Sequence, residues 1–159
     1  MVTAAFLIFG ASSAPIAYAA PPTDACKLLT KAQIKSATGA AVSDGSHPMA
    51  TFKKMCTWSG SGKGAGSITR ITLNLESAAS YQSAKAMLQA VASSPQAGIN
   101  MTPAPGIGDD AMFSSMGSYT KLIVKKGDVV LQIVVYSNVP IEKKRDIEKA
   151  LAARAISNL

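Results

Sequence analysis

The stretch Tyr119-Thr120-Lys121-Leu122-Ile123-Val124-Lys125-Lys126-Gly127-Asp128-Val129-Val130-Leu131-Gln132-Ile133-Val134-Val135-Tyr136 decides the fold. Two runs rich in β-branched residues flank Lys126-Gly127-Asp128, a glycine-centred turn, so the stretch reads as a hairpin. From Val129 to Val135 the apolar residues follow one another, interrupted by Gln132 alone. Such a run suits a central strand covered on both faces. Residues 110–114 add a third strand across a second turn at Gly117, giving a meander of hairpins.

Working outward, residues 68–76 alternate in polarity. Thr69, Ile71, Leu73 and Leu75 fall on one face, with Ile68, Arg70, Thr72 and Asn74 on the other. Met55-Cys56-Thr57-Trp58 reads as a further strand, and the Gly- and Ser-rich residues 59–66 as the mobile tip joining the two. Three helices interleave. The first opens at Thr30, where Gln33 completes a capping box, and stops at Gly39, with Leu28, Leu29, Ile34 and Ala37 on its buried side. The second covers residues 77–94, with Tyr81, Ala84, Leu88 and Val91 on one stripe and Lys85 and Gln89 off it, and ends at Pro95. The third opens at Pro140, with Asn138 as a capping candidate. It buries Ile141, Ile147, Leu151 and Ala155 and turns Lys143, Lys144 and Arg145 to water. Residues 40–54 and the segment holding Pro103, Pro105, Gly106 and Gly108 read as loops, the former with a short strand near Ala41-Val42. The expected fold is α+β: one antiparallel sheet with helices packed on it, in the order α-β-β-α-β-β-β-α.

Before this pattern begins, residues 2–20 carry no charge. An apolar core (Ala4-Ala5-Phe6-Leu7-Ile8-Phe9) is followed by Gly10, small residues and Pro15, then Ala17-Tyr18-Ala19-Ala20. That reads as a signal peptide over residues 1–19, with a single domain over 20–159. Gly10, Ser12, Ser13 and Pro15 argue against a transmembrane anchor, which needs about 20 predominantly apolar residues. The basic n-region is missing, so the true start is expected upstream of Met1 or to have been assigned late. Export places the domain in the periplasm or medium. There the two cysteines, Cys26 and Cys56, have one possible intramolecular pairing. Closing that loop would stabilise the domain by roughly 3.5–4 kcal/mol in the chain-entropy view. Thr23-Asp24-Ala25-Cys26 lacks the apolar residue of a lipidation site, so a lipidated Cys26 is not expected.

At 48% hydrophobic and 16% charged residues the chain has material for a core and is not a disordered polymer. Its 16 Lys and Arg against 9 Asp and Glu leave +7, all within the predicted mature domain. Such an excess serves solubility and also favours anionic partners. Lys27, Lys31 and Lys35 recur every four residues along the first helix, and Lys53 and Lys54 could lie near them across the disulfide. This basic stripe is the candidate surface for an anionic envelope component or a protein. Aromatic residues do not interleave with it, which argues against nucleic acid.

Catalytic patterns are absent from the sequence. The one histidine, His47, sits in a turn-like Asp44-Gly45-Ser46-His47-Pro48 and has no spacing to a nucleophile or to the cysteines. Gly60-x-Gly62-Lys63-Gly64 lacks the spacing of a phosphate loop. Asp109 and Asp110 are adjacent carboxylates, able in principle to bind a hard cation or move protons, but neighbours in an extended segment face opposite ways. Met49, Met55, Met87, Met101, Met112 and Met116 could offer thioethers to copper beside His47, yet they are scattered and suit packing. No cofactor is expected. The leading expectation is a non-enzymatic binding or accessory domain without a membrane anchor after cleavage. The alternative is a metal-handling protein or small envelope enzyme using Asp109, Asp110 or the methionines.

Asp24-x-Cys26-x-Leu28-Leu29-Thr30, the helix stop at Gly39, Cys56-x-Trp58, and Gly106-Ile107-Gly108-Asp109-x-Ala111 ahead of a hairpin resemble a group of uncharacterised small exported bacterial proteins, lipoprotein-like domains of unknown function. The resemblance implies an extracytoplasmic α+β domain with bonded cysteines and a Mog1/PsbP-like sandwich, and it brings no catalytic residues. The chain departs from lipoprotein members in lacking a lipidation motif at Cys26.

Overall fold

The computed structural model describes residues 23–60, 67–94 and 98–159. The predicted leader, residues 61–66 of the Gly-rich connection with the motif around Lys63, and the Pro95 helix stop lie outside the described residues. Helix α1 spans Lys31–Thr38, α2 Tyr81–Ala92 and α3 Ile141–Ile156. The strands are β1 Met55–Ser59, β2 Ile68–Ser77, β3 Ile99–Pro103, β4 Asp110–Met116, β5 Tyr119–Lys126 and β6 Val129–Ser137. They form one antiparallel sheet in the order β1-β2-β6-β5-β4-β3.

β6 is central, and side chains alternate across it as the period of a strand requires. Leu131, Ile133 and Val135 join the main core with Ile71, Leu73, Leu122 and Val124 of the neighbouring strands. α3 seals this face with Ile147, Leu151, Ala152 and Ala155, and Ile34 of α1 completes it. Val130 points the other way, into a smaller cluster with Tyr81, Met112 and Ile123 beneath α2.

Local chemistry accounts for the first helix. Thr30 accepts from the Gln33 amide and donates its own N–H to Gln33 Oε1 at 2.8 Å, and Gly39 ends the helix at φ 72°. Cys26 is bonded to Cys56 across 30 residues, tying the 3-10 turn Ala25–Lys27 to β1. Gly45 packs on this staple: a Cβ there would sit 2.6 Å from Cys56 Sγ and 2.8 Å from Trp58 Nε1.

Several expectations need correction. Residues 99–103, placed in a loop, form β3. Five residues ending in Pro103 carry a weak strand signal, and β4 supplies the partner that makes them an edge strand. The element order therefore gains one strand. Ile68 joins Ile71, Leu73 and Leu75 in the core, because a register shift between Ile68 and Arg70 breaks the alternation. Lys27 lies on the turn before α1, since Thr30 is extended at φ −97°, ψ 158°, so Lys27, Lys31 and Lys35 do not share one helix. Leu28 and Leu29 are buried as expected, but from that same segment.

On α2, Ala84 and Val91 are exposed while Lys85 is half-buried, so the packed line runs Tyr81, Lys85, Leu88, Ala92. The salt bridge from Lys85 Nζ to Asp110 at 2.6 Å turns the helix this way. On α3, Lys143 is exposed as expected, but Lys144 is buried and Arg145 half-buried. The helix N-terminus lacks a side-chain cap, so Asn138 does not serve as one. No helix among the described residues is long and apolar enough to cross a membrane.

Candidate functional site

The disulfide end of the sheet gathers most of the predicted basic residues. Ala25 N–H donates to Lys53 O at 2.8 Å and Leu75 N–H to Lys54 O at 2.7 Å, so the backbone before β1 is pinned on both sides. Lys27 lies two residues after Ala25, on the same 3-10 turn, so its backbone runs close to that of Lys53. Lys27, Lys35, Lys53 and Lys54 are exposed and make no ion pair among the described residues. Lys31 is paired with Asp44 at 2.8 Å, and Lys35 sits in the last turn of α1. Lys54 borders a depression it shares with Glu76 and Asp128.

His47 belongs to the base of this end. Its Nδ1 meets the Met55 carbonyl at 2.8 Å and its Nε2 the Asp24 carboxylate at 3.2 Å. Asp24 also accepts from Cys26 N–H at 3.0 Å. Together with the disulfide and the Ser46–Thr57 bridge, this clamps both ends of the 48–54 loop. Asp24, Cys26 and His47 lie close enough to share an ion. However, the Cys26 sulfur is committed to Cys56, which leaves two donors where a firm metal site needs more.

Asp109 and Asp110 separate as expected of neighbours in extended chain. Asp109 accepts from Gly127 N–H at 2.7 Å and pairs with Lys126 at 3.0 Å. The Gly127 amide, and after it Lys126, holds its carboxyl below the usual range. Beside it Gly108, at φ 63°, lets the chain approach β5 so closely that a Cβ would lie 2.5 Å from Lys125 O. The Gly-Asp motif is thus a staple between the start of β4 and the β5–β6 turn. Asp110 is held low chiefly by its bond to Lys85. The Tyr81 hydroxyl is pushed up by burial and by Asp110 next to it.

The methionines are divided. Met101 and Met112 pack beneath α2, Met49, Met87 and Met116 are exposed, and Met55 reaches His47 through its carbonyl oxygen.

Sequence reasoning missed one polar site. Glu148 of α3 is 0% exposed. β5 and β6 pair from Leu122–Ile133 to Lys126–Val129 and part beyond that, and the Glu148 carboxylate enters the opening. It accepts from Val135 N–H at 3.2 Å and lies 3.4 Å from Thr120 Oγ1. Burial raises its carboxyl to about 8, against the pull of these bonds and of Lys144 and Arg145. Lys144 Nζ donates to Ser118 O at 2.7 Å, and Arg145 donates to Ser115 Oγ at 2.9 Å. Fully buried and bonded to the Val135 amide and Thr120, Glu148 sits as a polar wedge between β5 and β6. The signal was present: Lys144, Ile147, Glu148, Leu151, Ala152 and Ala155 follow helical spacing on one stripe, two of them charged.

Comparison with known proteins returns no matching family model, no matching curated protein and no matching solved structure.

Proposed function

We propose that this chain is a non-enzymatic extracytoplasmic binding domain that holds an anionic envelope component against Lys27, Lys53 and Lys54. The observation that carries this reading is three exposed lysines, without an ion pair among the described residues, on a base locked by the Cys26–Cys56 bond and by Ala25 N–H to Lys53 O. Exposed cations on a pinned backbone, with no salt bridge among the described residues, attract an anion at little backbone ordering cost. The disulfide, the uncharged N-terminal stretch and the resemblance to exported bacterial domains support an extracytoplasmic setting. The alternative, metal handling or catalysis at Asp109, Asp110 or the methionines, draws no support, because each carboxylate is occupied by lysine and the thioethers do not converge.

The test is retention on an immobilised polyanion such as heparin, eluted with salt. Reversal of Lys27, Lys53 and Lys54 to Glu is expected to bring elution to markedly lower salt. The same reversal at Lys121, Lys143 and Lys149 should have a much smaller effect. Equal losses from both triple variants would reduce the interaction to net charge and sink the proposal.

A further inference from the structure

Resting on that reading, we infer that the anionic partner is the surface of a phospholipid bilayer, with Met49 and Phe52 entering the headgroup boundary while Lys53, Lys54 and Lys27 engage lipid phosphates. Met49 is 63% and Phe52 40% exposed, on a turn closed by Phe52 N–H to Met49 O at 3.0 Å. Single exposed apolar residues are ordinary on a protein surface. Here two occupy one turn and lead directly into two exposed lysines with no ion pair among the described residues, the composition of an interfacial anchor. A soluble polyanion would use the lysines and gain nothing from Met49 or Phe52. A bilayer uses both.

Of the acids near the loop, Asp44 is paired with Lys31 and Asp24 meets His47, while Glu76 accepts from the Asn74 and Gln132 amides and keeps its charge. Glu76 and Asp128 border the same depression as Lys54, so Lys27 and Lys53 carry most of the positive excess at this surface. The loop is also presented on a rigid base: the disulfide, the His47 ring and the Lys53 and Lys54 backbone bonds fix both ends, so little freedom is lost on docking.

The test is co-sedimentation of the protein, purified as cells export it, with phosphatidylcholine vesicles with and without phosphatidylglycerol. Binding to the anionic vesicles is expected, with little to the neutral ones. Each lysine at an anionic surface strengthens binding about fivefold, so Lys53→Glu with Lys54→Glu should weaken it by more than about 25-fold. Met49→Ser with Phe52→Ser should weaken vesicle binding about tenfold and leave elution from the polyanion column unchanged. Near-ultraviolet circular dichroism of the buried Trp58 verifies that each variant is folded.

If the serine pair binds vesicles as well as the native protein, the bilayer is the wrong partner although the basic-surface reading stands. Equal binding to neutral and anionic vesicles overturns it too. If the serine pair instead converts a dimer to a monomer in sedimentation equilibrium, with vesicle binding untouched, the turn covers a second copy of the chain and the inference is wrong. Loss of both polyanion and vesicle binding in the native protein defeats both proposals.

Discussion

The two faces of the sheet share the same strands and differ in what covers them. Under α3, Leu122, Leu131, Ile133, Ile147 and Leu151 meet in a continuous aliphatic layer. Under α2, Tyr81 is the one fully buried helix residue among those described, and Lys85, Leu88 and Ala92 are half-buried. Asn74, Glu76, Lys121 and Gln132 occupy sheet positions on that side, and a cavity of about 90 Å³ remains between helix and strands. Burial of apolar area scales with stabilisation, so the α3 face holds the fold and the α2 face is a lighter cover. The α3 face also contains what a dry core tolerates least, a carboxylate. Glu148 persists there because the strands part and offer it donors.

The widest gap between the faces should appear on truncating one leucine from each. Leu151→Ala removes a fully buried side chain and is expected to cost about 2–5 kcal/mol in urea unfolding. Leu88→Ala, half-buried, should cost less than about 1.5 kcal/mol. Similar losses at the two sites would mean that α2 is as integral as α3. Amide exchange gives a second measure: α2 amides should exchange through local opening well before those of α3.

Glu148→Gln sharpens the contrast next. The folded carboxyl, at about 8, lies above its ordinary 4.5, so the folded state holds the proton more tightly than the unfolded chain. Stability must then fall as pH rises between those values and level off above the higher one, by an amount on the order of 5 kcal/mol. Glutamine should flatten this segment and leave the variant more stable than the native protein near pH 8. Thermal unfolding across that range decides it, and an unchanged slope would move the titration elsewhere.

The smallest effect is expected at the α2 tether. Asp110→Asn takes the anion from Lys85, a pair whose side chains are 29% and 37% exposed, and should cost less than about 1 kcal/mol. The sign with pH is opposite to that of Glu148. Asp110 is held below its ordinary 3.8, so its contribution is complete above that value and fades as pH falls through the folded value. Acid titration of stability should show this loss in the native protein and less of it in the Asn variant.

Legibility in the sequence followed the range of the interaction. The Thr30–Gln33 capping box, the Gly39 stop and the Lys126-Gly127-Asp128 turn need residues at most a few positions apart, and all were readable. β3 was not, because Ile99 and Met101 alternate too briefly and need β4 beside them. The buried charges of α3 were hidden by a habit of sending Lys and Glu to water, although Lys144 and Glu148 lie on the apolar stripe. At the basic end, the lysines could be named from the sequence. The apolar partners Met49 and Phe52 could not, since a Met and a Phe in a loop are as readily buried as exposed.

From composition and periodicity alone came the antiparallel sheet, the central place of the strand that begins at Val129, the Thr30 cap and Gly39 stop of α1 and the Cys26–Cys56 pairing, because each depends on local geometry or on a count with one solution. The tertiary structure alone decided that β5 and β6 part around Glu148. It alone decided that Lys85 turns inward to Asp110, and that Lys27, Lys53 and Lys54 share one end with an exposed Met49 and Phe52. Those outcomes depend on which distant backbone groups are left without a partner and which surfaces are left uncovered, and both are set only once the strands have paired.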